Sequence, residues 1–212
     1  MLPRVAFAAV SAVHVAAQAT GRGRSPVGRV SKALLMPTLA GVLASGTTPP
    51  RDRLVRLTGL ALGASWVGDV APQFVPEKYD FPAMMGGFLV AQGSYCVAFW
   101  PYRDESVVGS PALAAYVVPA AGLATWLGQS AGPLQGPVAA YVASLTSMAA
   151  LSTGLGPIAA AGGMLFMASD ALIGLRDLRG MQVPGHGVWV MGTYALAQAL
   201  LVAGVRRRSM HR

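Results

Sequence analysis

Long apolar runs alternate with short charged segments along the whole chain. From Ser106 to Leu175 the only charged residue is Asp170, and from Leu57 to Pro76 only Asp69 interrupts the run. A hydrocarbon core about 30 Å thick needs roughly 20 apolar residues per helix. The pattern therefore predicts eight transmembrane helices, near residues 5–19, 30–45, 54–71, 81–99, 111–127, 134–151, 155–175 and 188–205.

The composition is typical of a membrane protein and excludes an ordinary soluble domain. Charged residues make up 11% of the 212 residues, whereas a soluble domain carries about 25%. The segments between the apolar runs are short and rich in Pro and Gly, so no soluble domain is expected between them. We therefore expect a single domain, residues 1–212, that folds as an all-α polytopic integral membrane helix bundle.

The first apolar run has a second interpretation. Arg4, a short apolar stretch and the small residues that end at Ala19 also resemble a secretory signal peptide. We favour a retained helix, because His14 and Gln18 are poor residues for the apolar part of such a peptide. The Arg-rich segment that follows is also better suited to joining two helices.

The formal net charge of +8 raises the question of nucleic-acid binding. The basic residues lie between helices and at the C-terminal end, where anionic lipid headgroups attract them without any nucleic acid. With both termini cytoplasmic, nine of the 16 Lys and Arg residues lie on the cytoplasmic side, and the dense C-terminal cluster favours this orientation. We expect membrane lipids as partners, no nucleic acid, and an inner or plasma membrane of bacterial type.

Two acidic residues lie inside predicted spans, where ionisable groups are costly and by default indicate function. Asp69 and Asp170 each follow about fifteen residues of an odd-numbered span. At 1.5 Å per residue, both therefore lie about 22 Å from the same membrane face. Because odd-numbered spans run in one direction, we expect the two carboxyl groups at a shared depth.

Other polar residues of the even-numbered spans are expected near these carboxyl groups. Lys32 and Tyr141 lie early in their spans, towards the same side of the membrane, and four more lie nearer the middle. The candidate substrate-binding residues are Lys32, Tyr95, Gln92, Tyr141, Tyr194 and Gln198. Together with the two Asp residues they predict a polar cavity that opens towards one leaflet.

Each of these residues also has a purely structural interpretation. An intramembrane Asp can cap a neighbouring helix or pair with Lys32, and the tyrosines can be packing or interfacial residues. His14 and Cys96 are interpreted as packing residues of the bundle. The acidic residues at span ends are interpreted as solvated: Glu77, Asp80, Asp104, Glu105 and Asp177. The sequence contains no serine-hydrolase elbow and no Cys or His spacing typical of a metal site.

Six motifs occur in the same order as in a known family of small membrane enzymes. They are SKALLMPTL, WVGDVAPQF, GGFLVAQGSYCVAF, YVASLTSMAA, GGMLFMASDALIGL and YALAQALL. In these motifs the chain resembles the YhhN-type lysoplasmalogenases, through most of its length. Two positions depart from the family pattern, since Ala33 replaces a usual Pro and Gln92 stands where His is common. A Gln side chain forms hydrogen bonds but cannot carry a proton near neutral pH.

The resemblance implies an activity and the residues that carry it. The family hydrolyses the vinyl ether bond of lysoplasmalogens to a fatty aldehyde and glycerophosphoethanolamine or glycerophosphocholine. Its Gly-Asp and Ser-Asp motifs correspond to Asp69 and Asp170, and its Lys motif to Lys32. Such hydrolysis needs a proton donor, a negative group facing an oxocarbenium ion and a base that directs water, as in glycoside hydrolysis. A lysophospholipid would bind with its phosphate at Lys32, and no metal or cofactor is required.

Two alternatives to this enzyme remain at this point. In a proton-coupled transporter of a small molecule or lipid, Asp69 and Asp170 would be relay groups. In a structural membrane protein they would form buried ion pairs, and no activity would be found.

Overall fold

Eight α-helices make up most of the computed structural model, which describes residues 1–210. The helices are α1 (Leu2–Ala19), α2 (Pro26–Ser45), α3 (Arg53–Val70), α4 (Asp80–Phe99), α5 (Ala114–Gly128), α6 (Gln135–Ser152), α7 (Pro157–Arg179) and α8 (His186–Met210). Short 3-10 turns join several of them, and residues 1–210 contain no strand.

Each of the eight helices, with its adjoining turns, is long and apolar enough to cross a membrane. The predicted all-α polytopic bundle is therefore confirmed. The observed bounds lie close to the predicted ones, and the largest difference is at the end of α8, predicted at 205 and observed at Met210. The arginines there continue the helix beyond its apolar part.

Local sequence signals explain where the helices begin and end. α2 begins at Pro26 and its N-cap Ser25 accepts a hydrogen bond from the backbone N–H of Gly28. α3 begins after Asp52, whose side chain accepts from the N–H of Val55. These caps satisfy N–H groups that the first turn of a helix leaves unpaired. α7 ends at Arg179 and is followed by Gly180, whose φ of 65° is the left-handed conformation that glycine adopts without strain.

The helices alternate in direction, so the bundle has two faces. The terminal face is the side of the bundle on which α1 begins and α8 ends. The opposite end, which holds the segments 20–25, 71–79, 129–134 and 180–185, we call the cavity face. Asp69 lies one residue before the end of α3 and is therefore close to the cavity face.

Seven of the helices form a closed ring. Each contacts the next in the order α1, α2, α3, α4, α6, α7 and α8, and α8 contacts α1 to close it. α8 also contacts α2 and α3, whereas α5 packs outside the ring against α6 and α7. This arrangement directs polar side chains of α2, α3, α4, α6, α7 and α8 towards a shared interior.

The interior differs between the two faces. Towards the terminal face the core consists mainly of apolar side chains, including Leu62, Phe99, Leu201 and Val205, which are almost completely buried. The carboxyl groups of Asp69 and Asp170 lie nearer the cavity face, whereas the amide groups of Gln92 and Gln198 lie near the middle of their helices. The polar interior of the described residues therefore opens towards one face of the bundle, as the sequence predicts.

A close approach of two helix backbones occurs next to Asp69. A Cβ atom at Gly87 of α4 would lie 2.4 Å from the backbone nitrogen of Gly68 and 2.5 Å from its Cα. Backbone atoms cannot move aside as a flexible side chain can. Small residues at such crossings let membrane helices pack closely, and this crossing fixes the end of α3.

We predict that Gly87→Ala lowers the thermal stability of the purified protein, because the added methyl group must push α4 away from α3. Overpacking of this kind costs about 1–3 kcal/mol. The matched control is Gly86→Ala, since a Cβ at Gly86 meets nothing within 4 Å. The measurement is the midpoint of thermal unfolding in detergent. Equal midpoints for the two variants would contradict the close crossing.

Candidate active site

Asp69 of α3 and Asp170 of α7 both lie inside the ring, in the walls of two spaces that share Phe81 and Met84. Asp69 is 2% exposed, and Asp170 is half-buried. From the shared direction of odd-numbered helices, the sequence predicts a shared depth for the two carboxyl groups. The two carboxyl groups differ, however, in their partners and in the surfaces that they line.

Asp69 has a cationic neighbour and a hydroxyl group that donates a hydrogen bond to it. Lys32 Nζ of α2 lies 3.5 Å from Asp69 Oδ1, and the Tyr194 hydroxyl of α8 donates to Asp69 Oδ2 at 2.8 Å. The Tyr194 ring packs edge-on against Phe88 and Phe166, at centroid distances of 5.5 and 5.7 Å. These contacts fix the hydroxyl group, and Lys32 and Tyr194 both act as donors to the carboxyl group of Asp69.

Asp170 has polar neighbours but no cationic one among residues 1–210. The Tyr141 hydroxyl of α6 donates to Asp170 Oδ2 at 2.5 Å. The amide Nε2 of Gln92 lies 3.4 Å from the same oxygen, and Gln92 Oε1 is buried without a hydrogen-bond partner. The oxygen and nitrogen of an amide are nearly interchangeable in position. With its amide group rotated by about 180°, Gln92 would place Oε1 next to Asp170 Oδ2. Oε1 would then accept a hydrogen bond from a protonated Asp170.

A second polar network lies deeper in the bundle, towards the terminal face. The Tyr95 hydroxyl donates to Gln198 Oε1 at 2.6 Å, and Gln198 Nε2 donates to Ser65 Oγ at 3.0 Å. Ser65 lies one turn before Asp69 on α3, and Gln198 one turn after Tyr194 on α8. The network therefore supports the two helices that carry Asp69 and its tyrosine partner.

A polar cavity of about 530 Å³ opens at the cavity face. Asp69 and Lys32 lie in its wall. Its other charged and amide residues are Gln18, Arg24, Arg29, Gln73, Glu77, Asp80, Arg176 and Asp177. The cavity is therefore wide enough for a polar group several times larger than a water molecule.

An apolar groove adjoins the polar cavity. It is lined by Asp170, Tyr141 and apolar side chains of α4, α5, α6 and α7, among them Met85, Leu123, Leu145 and Ile173. Phe81 and Met84 line both the groove and the cavity. The two spaces thus share a wall, and Asp69 lines the cavity whereas Asp170 lines the groove.

The structure brings most of the predicted site residues to the two carboxyl groups. Lys32 and Tyr194 contact Asp69, whereas Tyr141 and Gln92 contact Asp170. Tyr95 and Gln198 contact each other instead of a carboxyl group. His14 is buried, and its Nδ1 lies 2.9 Å from the Ser31 hydroxyl, as expected of a packing residue.

Sequence reasoning missed the charged wall of the polar cavity. Asp80, Glu77 and Asp177 were expected to be solvated, and Arg29 was assigned to lipid headgroups; Glu77, Asp177 and Arg29 are exposed, whereas Asp80 is half-buried. All four line the cavity. A usable signal was present for Arg29, which precedes Lys32 by one helical turn. Within residues 1–210 no group of three or more His, Cys, Asp or Glu residues could hold a metal ion.

Fold and site together define an integral multi-pass membrane protein with two carboxyl groups between a polar cavity and an apolar groove. A family model described as the YhhN family matches residues 27–205, and the chain belongs to this family. The match includes all eight residues predicted for the site. No curated protein and no solved structure matches the chain.

The contact between Lys32 and Asp69 generates a prediction about stability. We expect Lys32→Met to lower the unfolding midpoint, because it leaves a buried carboxylate without its cation. Adding Asp69→Asn should recover part of the loss, with a coupling of about 0.5–3 kcal/mol. Arg22→Met, at an exposed position in the segment before α2, is the matched control. Purely additive effects of the two substitutions would contradict the ion pair.

Proposed function

We propose that this protein hydrolyses the vinyl ether bond of lysoplasmalogens, releasing a fatty aldehyde and a glycerophospho-headgroup. The observation that carries the proposal is the position of the two carboxyl groups in adjoining spaces, Asp69 in the wall of the polar cavity and Asp170 in the wall of the apolar groove. A single-chain ether lipid has a polar headgroup, an apolar chain and a vinyl ether bond at their junction. Membership of the YhhN family supports a lysoplasmalogenase-type function at the level of the family.

The different partners of the two carboxyl groups support different roles. Asp69, with Lys32 and Tyr194 as donors, suits the ionised role. Asp170 has no cationic partner among the described residues and faces apolar side chains, which favour a neutral carboxylic acid. We therefore assign proton donation to Asp170 and charge stabilisation to Asp69. This parallels the division of labour between paired carboxyl groups in glycosidases.

In the first step, Asp170 donates its proton to the vinyl carbon that is farther from the ether oxygen. The carbon–carbon double bond becomes a single bond, and the positive charge is shared by the other carbon and the oxygen. Asp170 is now a carboxylate, and Tyr141 donates a hydrogen bond to it. The Asp69 carboxylate stabilises the oxocarbenium ion electrostatically.

In the second step, a water molecule from the polar cavity adds to the cationic carbon. Asp69 accepts one proton of this water, and a hemiacetal forms. The hemiacetal then breaks its bond to the glycerol oxygen, which takes the proton from Asp69. Asp170 accepts the remaining hydroxyl proton as the aldehyde forms, and both carboxyl groups return to their starting states.

Access from a single face favours hydrolysis over proton-coupled transport. A transporter needs a polar path to each side of the membrane in turn, whereas the core towards the terminal face is mainly apolar. The test is aldehyde release by purified protein in detergent, where no gradient exists. A lysoplasmalogen and its ester-linked counterpart are compared, with aldehyde and fatty acid measured separately. Absence of aldehyde from a folded preparation would overturn the proposal.

We predict that Asp69→Asn and Asp170→Asn each reduce aldehyde release by about 10²- to 10⁴-fold, the usual contribution of general acid–base groups. Asn keeps the size and hydrogen bonding of Asp but cannot exchange the proton. The double variant should be scarcely slower than either single one, because groups that act as a unit are not additive. Asp104→Asn is the control, since Asp104 is exposed in the turn after α4.

The assignment of roles predicts the pH profile of the residual turnover. An essential acid causes loss of activity as the pH rises, and an essential base causes loss as it falls. Asp170→Asn should therefore remove the alkaline limb, and Asp69→Asn the acid limb. Wild-type turnover should also slow in heavy water, because a proton is transferred to carbon. If Asp170→Asn instead removed the acid limb and Asp69→Asn the alkaline limb, Asp69 would be the acid and Asp170 the base.

A further inference from the structure

The charges in the wall of the polar cavity are nearly all paired with one another. Arg24 Nη1 lies 3.5 Å from Glu77 Oε1, and Lys32 pairs with Asp69 as described above. Arg176 Nε lies 2.6 Å from Asp177 Oδ1. These contacts account for three cations and three anions of the wall.

Two charges of opposite sign remain. Arg29 of α2 and Asp80 of α4 line the cavity and have no side-chain hydrogen bond or ion pair within residues 1–210. An unpaired cation and an unpaired anion in one cavity are complementary to a ligand that carries both charges. Arg29 precedes Lys32 by one turn, so its guanidinium and the Lys32 ammonium belong to the same side of the cavity wall.

We propose that Arg29 and Asp80 select a zwitterionic headgroup with a primary ammonium, phosphoethanolamine, over one without an amine or with a quaternary amine. Arg29 binds the phosphate, for which a guanidinium offers two parallel N–H donors. Asp80 accepts hydrogen bonds from the ammonium. The inference rests on the proposed function, because it takes the polar cavity as the place of the substrate headgroup.

The chemistry of the wall distinguishes ethanolamine from choline. A quaternary ammonium cannot donate hydrogen bonds, and proteins recognise it with cages of aromatic rings. Phe81 is the single aromatic residue in the described wall of this cavity. The wall has instead several hydrogen-bond acceptors, namely the carboxylate of Asp80 and the amide oxygens of Gln18 and Gln73. A primary ammonium satisfies such acceptors, whereas a trimethylammonium leaves them unpaired.

The first experiment compares three alkenyl lysolipids that share one chain and differ in headgroup: phosphoethanolamine, phosphocholine and phosphate alone. We expect wild type to have its lowest KM for the ethanolamine substrate. Asp80→Asn should raise that KM about 5- to 10-fold and leave the KM for the phosphate substrate unchanged. Asp80→Glu, which keeps the charge, should retain the preference for ethanolamine.

The complementary variant is Arg29→Gln, which should raise KM for all three substrates because all contain the phosphate. The matched controls are Arg22→Gln and Asp104→Asn, which remove one charge of each sign outside the cavity wall. Equal KM values for ethanolamine and choline in wild type would overturn the inference. So would an Asp80→Asn variant whose KM rises equally for the amine-free substrate, since Asp80 would then act on the structure of the cavity.

A binding measurement separates this inference from the proposed reaction. In the Asp170→Asn variant, affinity is measured by calorimetry in detergent for lysolipids whose chain is joined by a saturated ether, with the same three headgroups. Tightest binding of the ethanolamine lipid, lost in Asp80→Asn, supports the headgroup site even where wild type releases no aldehyde. Aldehyde release without any headgroup preference would overturn the headgroup site and leave the reaction standing.

Discussion

A carboxyl group within a membrane bundle must be compensated inside the protein, and this requirement organises the ring of helices. Asp69 of α3 contacts Lys32 of α2 and Tyr194 of α8. Asp170 of α7 contacts Gln92 of α4 and Tyr141 of α6. Each carboxyl group thus joins three helices, and the two sets contain no helix in common. Because the hydrocarbon core of a membrane offers no hydrogen-bonding partners, these contacts help to determine which helices are neighbours.

These contacts also give the two carboxyl groups different surroundings. The close crossing of α3 and α4 at Gly68 and Gly87 holds Asp69 at the wall of the polar cavity, within reach of a cation. Asp170 lies where the wall is apolar and its partners are neutral. Two side chains of one type therefore offer different chemistry, which any mechanism based on paired carboxyl groups requires.

The sequence predicts the helices well because a span long enough for the bilayer is a local property of composition. It also predicts that Asp69 and Asp170 share a depth, since odd-numbered helices share a direction and both residues occur late in theirs. It does not predict which polar residue contacts which carboxyl group. Tyr141 and Tyr194 look alike in sequence, and their partners depend on the order of helices around the ring. Asp80 was missed because a charge at a helix end is equally compatible with solvent and with a cavity wall.

The contrast between the groove and the cavity bears on the order of events in the proposed reaction. Proton transfer to carbon is favoured where water cannot compete for the proton, which suits Asp170 against the apolar wall. Addition of water must follow, and the polar cavity can deliver it on the side of Asp69. If water reached Asp170 first, its proton would exchange with solvent and its carboxylate would be solvated. The proposed mechanism therefore depends on Phe81 and Met84, which line both spaces, to keep the bound chain between Asp170 and the water of the cavity.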